Sequence, residues 1–197
     1  MDALDIEHVH WIGASMGGII GMMAGAQRPA LLHTLFLGDV GKVLAKEGLE
    51  NIFSYVGNTP KAQNNAEFEA NLKQAYASFH FTKEEYWRHF FNHRVRKNEK
   101  GEYRLLIDPK VLQPFKAKSD VTIEDVSLEA LWSVLDCPVL IFRGAESQLL
   151  RHDTAVEMTQ DKNNVTLHEF KKVGHMPNLM EEEQVDIISN WILMHRS

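Results

Sequence analysis

The sequence has little cysteine, no long apolar run and no excess of basic residues, and each absence excludes a class of protein. Its only cysteine, Cys137, excludes a framework of intramolecular disulfides. No apolar run approaches the roughly 18 residues of a membrane span. Lysine and arginine number 21 against 27 acidic residues, a net charge of −6. We therefore expect neither nucleic acid nor a membrane as a partner, and the acidic start, without a secretory signal pattern, predicts a cytoplasmic protein.

The two ends of the chain alternate between β-prone and helical segments. A hydrophobic fraction of 44% with 24% charged residues is that of an ordinary globular domain. In the first stretch, a β-prone run at 8–12, an apolar helix at 17–27 and a second apolar run at 32–37 follow one another closely. After Cys137 the same alternation returns, with strands near 138–142 and 165–170, helices near 153–160 and 181–194. This alternation predicts an α/β fold with a parallel sheet.

The stretch from 40 to 136 has a different pattern and predicts a mostly helical insertion. Phe68, Leu72, Ala75 and Phe79 are spaced as on one helical face. Thr82–Glu85 fits a capping box, with Thr82 as the N-cap and Glu85 reaching back to it. The helix that follows would carry Trp87, Phe91 and Val95 on one stripe and end at Asn98–Gly101; a further short helix is predicted around 128–135.

The segment Gly13-Ala14-Ser15-Met16-Gly17 fits the G-x-S-x-G pattern of a nucleophile elbow. A β-prone run precedes it and an apolar helix follows, which is the context such a turn requires. The flanking glycines are expected because side chains there would collide with backbone. The turn would expose the Ser15 hydroxyl and place the Met16 N–H near a developing oxyanion. Ser15 is therefore the candidate nucleophile, and Met16 the candidate substrate-binding residue.

A serine hydroxyl needs a base to remove its proton, and His175 is the candidate. It follows the last predicted strand, in Gly174-His175-Met176-Pro177, so it would lie at the same edge of a parallel sheet as Ser15. The other histidines are expected to be bystanders. His89 and His93 have the spacing to share a metal, but no further ligand accompanies them, so we expect no metal site and no cofactor.

Taken together, these motifs resemble those of α/β-hydrolases, in particular a group of small bacterial enzymes that act on lactones, esters and C–C bonds. The matching stretches are 13–18, 38–41, 103–109, 137–147 and 174–177. The resemblance implies that Ser15 is the nucleophile and His175 the base. It also implies that 1–39 and 137–197 form the hydrolase core, with its strands 5 to 8, and that 40–136 form a lid.

The third member of the triad is where the sequence departs from the family. The aspartate that usually follows the strand at 138–142 is here replaced by Gln148, which cannot offset the charge of an imidazolium. Asp39 ends the preceding strand, and Glu146 lies two residues before the usual position. We favour Asp39 because a strand end directs its side chain to the same rim, but Glu146, or no acid at all, stays open.

A second departure is that only seven residues precede the run at His8, whereas the family has four strands and two helices before the elbow. Those segments would supply the second oxyanion N–H. The strand at 8–12 would then be an open apolar edge, for which we expect self-association into a homo-oligomer.

Two functions follow from these observations. The first is a serine hydrolase of a small ester, thioester, lactone or C–C bond, acting on a small-molecule substrate without a cofactor. The second is a catalytically impaired hydrolase remnant that serves as a binding or interaction module, which Gln148 and the missing segments favour.

Overall fold

In a computed structural model, the structure describes residues 5–55, 62–108 and 122–195. The strands are β1 (Val9–Ala14), β2 (Leu32–Gly38), β3 (Val43–Leu44), β4 (Val95–Lys97), β5 (Tyr103–Leu105), β6 (Val126–Ser127), β7 (Val139–Gly144) and β8 (Val165–Phe170). The α-helices are α1 (Met16–Gln27), α2 (Lys46–Tyr55), α3 (Asn65–Ala75), α4 (Glu84–Arg94), α5 (Glu129–Ser133), α6 (His152–Asp161) and α7 (Glu182–Met194). Short 3₁₀ turns occupy Pro29–Leu31 and Ala77–Phe79.

The central sheet is parallel, with strand order β1-β2-β7-β8. β2 and β7 are buried almost throughout because helices cover both faces of the sheet. Leu35 and Leu37 of β2 pack in the cluster that includes α1 and α6, whereas Phe36 packs against Trp191 of α7. Successive side chains of one strand thus enter opposite layers, and the predicted α/β class with a parallel sheet is confirmed.

The outer edge of the sheet is β1, which pairs with β2 alone among the described strands. Ile12 on this strand is 53% exposed, and Met16, Ile20 and Met23 on α1 are also exposed. The apolar edge that the sequence predicts is therefore present in the described part of the chain. Within that part, no helix has the length and apolar character needed to cross a membrane.

The stretch between β2 and β7 is less uniformly helical than predicted. It holds α2 to α5, but β3 pairs with β6 and β4 with β5 in two antiparallel pairs. Phe68, Leu72, Trp87, Phe90 and Val95 form a hydrophobic cluster of their own. Several aromatic side chains of this stretch therefore pack against one another, and Tyr76, Phe81 and Trp87 also border a groove of about 400 Å³. Within this stretch, 56–61 and 109–121, which include Pro109 of a family-like segment, lie outside the described residues.

The predicted capping box at Thr82 is wrong. α4 begins at Glu84 after Lys83, which makes no side-chain cap bond. The Thr82 hydroxyl instead donates to the Glu181 carboxylate at 2.6 Å, and the Thr82 N–H donates to the same group at 3.2 Å. A carboxylate distant in sequence has taken the place that Glu85 was expected to fill. Burial alone would raise the pKa of Glu181, but these hydrogen bonds hold it below its ordinary value.

The predicted end of this helix is also wrong. α4 ends at Arg94, and Val95 has extended backbone angles, φ −122° and ψ 141°. Val95 lies opposite Leu105 in the β4–β5 pair, so cross-strand pairing of a β-branched residue outweighs the helical stripe. The 98–101 segment is the hairpin turn, with Gly101 at φ +77°. Phe79 likewise lies beyond α3, in the 3₁₀ turn.

Candidate functional site

Ser15 lies on the sharp turn between β1 and α1, with φ 49° and ψ −122°. A positive φ is costly for a residue with a side chain, so the surrounding structure must hold it. The Ser15 N–H donates to the Gly38 carbonyl at 2.8 Å, which ties the turn to β2. A Cβ on Gly13 would lie 2.3 Å from the Gly17 carbonyl oxygen, so glycine is required there. The same expectation for Gly17 is wrong, because a Cβ on that residue would meet nothing within 4 Å.

His175 joins the other two candidate residues. Its Nε2 lies 2.9 Å from the Ser15 hydroxyl oxygen, and its Nδ1 lies 2.7 Å from the Asp39 carboxylate. The His175 side chain is 12% exposed and that of Asp39 is fully buried. The structure therefore brings together Ser15, His175 and Asp39, which follow three different strands, with the imidazole between the serine hydroxyl and the carboxylate.

Asp39 follows directly after β2 with φ 55°, and both oxygens of its carboxylate accept hydrogen bonds. One carboxylate oxygen accepts from the Gly144 N–H at 3.0 Å. The other accepts from the Ser147 hydroxyl at 2.6 Å as well as from His175. A buried carboxylate is tolerated only with such partners, and they also fix the direction in which it faces the imidazole.

Ser147 is a residue to which the sequence assigns no role. Its hydroxyl donates to Asp39 and accepts from the Leu149 and Leu150 N–H groups at 3.1 and 3.2 Å. It is buried, and it joins the loop after β7 to the acid after β2. The sequence offers only a weak indication of this role, since a serine hydroxyl often accepts from backbone N–H groups two or three residues further along the chain.

The alternative acid lies elsewhere. Glu146 and Gln148 are both exposed, and among the described residues no hydrogen bond joins either of them to His175. The Gln148 amide oxygen instead accepts from the Asn51 amide at 3.3 Å. Of the three possibilities that the sequence leaves open, the structure places only Asp39 against the histidine.

Met16 is the first residue of α1, so its N–H has no partner within the helix and lies next to Ser15. Its side chain is 55% exposed. For metals, the described residues hold no group of three or more His, Cys, Asp or Glu side chains suited to bind an ion. The His89 and His93 rings stack 4.2 Å apart, and His93 Nδ1 bonds to the backbone carbonyl of His89.

The loop that carries His175 is attached to the stretch between β2 and β7. The Gly174 N–H donates to the Ser78 carbonyl at 2.8 Å, and a Cβ on Gly174 would lie 2.8 Å from the Ser78 Cβ. The Asn178 amide donates to the Phe79 carbonyl at 3.2 Å. The 3₁₀ turn Ala77–Phe79 therefore packs directly on the histidine loop.

Among the grooves near this turn, two differ clearly in what they contain. The larger, of about 570 Å³, is bordered by Lys83, Tyr86 and the start of α7 and contains none of the three candidate residues. The smaller, of about 280 Å³, includes His175 and Gly174 in its lining. Of the three candidate residues, His175 is in the lining of the smaller groove, and Ser15 and Asp39 are not.

Comparison with known proteins agrees with this architecture. The chain is 34% identical over 191 residues to the 3-hydroxybutyrate-oligomer hydrolase of Cupriavidus necator, covering 93% of this chain and 64% of the relative. A crystal structure from Rickettsia typhi is 30% identical, with a TM-score of 0.87, over 100% of this chain and 65% of the other. An α/β hydrolase from Novosphingobium aromaticivorans is 27% identical, with a TM-score of 0.85, over 99% and 68%.

The chain thus spans a little under two thirds of the length of the curated relative that it matches. The sequence model of the α/β hydrolase fold family matches residues 1–182, which include Ser15, Asp39 and His175. With the parallel sheet and these matches, the chain belongs to the α/β-hydrolase fold family.

Proposed function

We propose that this protein is a serine hydrolase that cleaves a small ester. The observation that carries the proposal is the continuous hydrogen-bonded chain from Ser15 through His175 to the buried Asp39. A thioester, a lactone or an activated C–C bond could be cleaved by the same three residues. The alternative of an impaired remnant loses one of its two supports, because Asp39 supplies the carboxylate that Gln148 does not.

In the proposed mechanism, His175 Nε2 takes the proton of the Ser15 hydroxyl while the serine oxygen attacks the ester carbonyl. Asp39 holds the imidazole by its Nδ1–H and offsets its charge. The Met16 N–H and the N-terminus of α1 stabilise the oxyanion. The imidazolium then protonates the departing alcohol, which leaves an acyl-serine. His175 next activates a water molecule, whose attack releases the acid and restores the serine.

The ester is favoured over the other substrate classes by one comparison. The relative from Cupriavidus necator is named for hydrolysis of 3-hydroxybutyrate oligomers, whose units are joined by ester bonds. At 34% identity over 93% of this chain, that name supports an ester of a short hydroxy acid as the small-molecule substrate.

We propose further that 40–136 form a lid over this site, with 1–39 and 137–197 as the hydrolase core. The support is the bond between Ser78 and the histidine loop, which places the 3₁₀ turn beside the base. Self-association through the exposed edge of β1 stays a prediction. Sedimentation velocity tests it, and a monodisperse monomer would contradict it.

Labelling with a fluorophosphonate probe tests the nucleophile. The purified chain should be labelled, and Ser15→Ala should reduce labelling at least 100-fold, since the phosphonate reacts only with an activated serine. Hydrolysis of p-nitrophenyl butyrate should fall in parallel. Ser133→Ala, an exposed serine on α5, is the matched control and should be labelled like the parent. Equal labelling of the Ser15→Ala variant would refute the proposal.

A further inference from the structure

The smaller groove beside His175 has a polar lining that the mechanism does not use. Asn51 of α2 and Gln148 of the loop after β7 line it, together with Gln74 of α3, Ser78 and Glu146. Its volume of about 280 Å³ lies just below the range of about 300–1,000 Å³ for pockets that hold drug-sized ligands. A groove of this size suits a short segment of a substrate, and a group bound there would lie beside the His175 imidazole.

The two amide side chains are joined across the groove. The Asn51 amide N–H donates to the Gln148 carbonyl oxygen at 3.3 Å, so the NH₂ group of Gln148 faces away from this bond and remains a donor. Gln148 is available for this because Asp39 holds His175 from the end of β2. The position that would otherwise carry the acid therefore presents a neutral hydrogen-bonding group.

Among the described residues, the lining of the groove includes an acidic side chain and no basic lysine or arginine. The acidic side chain is that of Glu146, which carries a full negative charge. A carboxylate on the substrate would meet the like charge of Glu146 without a cation in the described lining to offset it, a repulsion that solvent weakens because Glu146 is exposed. A neutral hydroxyl or carbonyl can instead accept from the Gln148 amide, and a hydroxyl can donate to Glu146.

We propose that this groove is a subsite for the uncharged, oxygen-bearing part of a hydroxyacyl ester, with Gln148 as its main donor and Glu146 as the group that excludes carboxylates. The subsite rests on the proposed esterase function and names its substrate class. It would favour a 3-hydroxyacyl group over a plain acyl group of equal length. It would disfavour an acyl group that ends in a carboxylate.

Three p-nitrophenyl esters of matched size test this: 3-hydroxybutyrate, butyrate and the monoester of succinate. For the parent chain, kcat/KM should be highest for the hydroxybutyrate and lowest for the succinate. Gln148→Leu should lower the hydroxybutyrate-to-butyrate ratio of kcat/KM about tenfold. Glu146→Gln should raise the succinate-to-butyrate ratio about fivefold.

Matched controls separate a subsite from a general surface effect. Gln160→Leu on α6 and Glu99→Gln in the β4–β5 turn change the same residue types at exposed positions outside the groove, and should leave both ratios as in the parent. Unchanged ratios in Gln148→Leu and Glu146→Gln, with the butyrate ester still cleaved, would overturn the subsite while leaving the esterase function intact.

Binding gives a measurement that needs no turnover. The Ser15→Ala variant should bind substrate without cleaving it, and its Gln148 side-chain amide NMR signal is assigned as the one that is lost when Gln148→Leu is added. This signal should shift when methyl 3-hydroxybutyrate is added. Methyl butyrate at the same concentration should shift it much less. Equal shifts with the two methyl esters, or no shift with either, would overturn the subsite whether or not the chain hydrolyses esters. Failure of the fluorophosphonate to label the parent chain would refute only the esterase function.

Discussion

The described part of the chain contains two histidine–carboxylate pairs of nearly the same length, and only one of them lies at the candidate active site. His175 and Asp39 are 2.7 Å apart, and His152 and Glu169 are 2.9 Å apart. In the first pair the histidine side chain is 12% exposed and the carboxylate fully buried, whereas in the second the values are 60% and 33%. The first histidine also contacts a serine hydroxyl through its other nitrogen.

The difference shows that the carboxylate–histidine distance alone does not identify a base. Asp39 has only neutral donors besides its histidine, namely the Gly144 N–H and the Ser147 hydroxyl. Glu169 also binds the guanidinium of Arg143, so much of its charge is already offset. We infer that the His175 pair serves proton transfer and that the His152 pair serves to neutralise a buried arginine. Substitutions in the two pairs and at Ser147 test this distinction.

Apart from the loss of His175 itself, the largest effect is expected from Asp39→Asn. The amide keeps the size of the side chain but not the charge that offsets the imidazolium, and such a change lowers kcat about 10³- to 10⁴-fold in serine hydrolases with a triad. Steady-state kinetics with p-nitrophenyl butyrate measure it. Glu146→Gln, which changes the alternative acid, should lower kcat on this ester by less than threefold. A similar loss in both variants would contradict the assignment of Asp39.

A smaller effect is expected from Ser147→Ala, because Ser147 positions Asp39 without contacting the substrate. Losing its hydroxyl removes a donor to a buried carboxylate and an acceptor for two backbone N–H groups. We expect kcat to fall about tenfold with KM within twofold, since binding groups are not touched. Ser147→Thr keeps the hydroxyl and should recover most of kcat. A change in KM alone would show a structural role.

Glu169→Gln should affect stability and leave kcat within about twofold. Arg143 is 6% exposed and would lose its charged partner, which costs about 1–2 kcal/mol of unfolding free energy after allowance for the exposure of Glu169. Urea unfolding at neutral pH measures it. A large loss of kcat would contradict the division between the two pairs.

The same substitution makes a prediction about pH. Burial acts to raise the pKa of Glu169, but bonds from His152 and Arg143 hold it below its ordinary value near 4.5. A carboxyl group whose pKa is lower in the folded than in the unfolded state stabilises the fold at pH values above its ordinary pKa. This contribution is lost as the pH falls below that pKa. The difference in unfolding free energy between the parent and Glu169→Gln should therefore shrink as pH falls below about 4.5. A constant difference would be inconsistent with this linkage.

The smallest effect is expected from His152→Ala. The pair is largely exposed, and exposed ion pairs contribute about 0–1 kcal/mol. We expect a loss of at most about 0.5 kcal/mol in urea unfolding and no change in kcat. His175→Ala, by contrast, should abolish measurable hydrolysis at equal protein concentration.

The sequence allowed the strands of the parallel sheet, the sharp turn at Ser15 and the position of His175 to be predicted, because each rests on local pattern. Ser15 and His175 follow β-prone runs, and the carboxyl ends of parallel strands meet at one edge. The choice of Asp39 over Glu146 needed the structure, since both candidates lie at that edge in sequence terms. Ser147 could not be assigned because its partner is 108 residues away in the chain.

Local pattern also failed where distant contacts decide the outcome. The Thr82 capping box agrees with the local rule, yet Glu181 binds the threonine from the far end of the chain. Val95 fits the helical stripe, yet its pairing with β5 begins a strand. Both errors fall in the stretch between β2 and β7, where contacts with the core and between short strands outweigh local preference.

The bond from Gly174 to Ser78 has a consequence for how access and chemistry are connected. Ser15 and Asp39 are fixed by neighbouring strands, since the Ser15 N–H bonds to Gly38 and β1 pairs with β2 along its length. His175 lies on a loop that is held from two sides: the Ser78 carbonyl of the 3₁₀ turn accepts from the Gly174 N–H, and the Val173 carbonyl accepts from the Glu146 N–H at 2.8 Å. Lifting the turn would remove the first of these bonds, while the bonds that hold Ser15 and Asp39 stayed in place. A movement of the turn would therefore change the position of the imidazole before it changed that of the other two side chains.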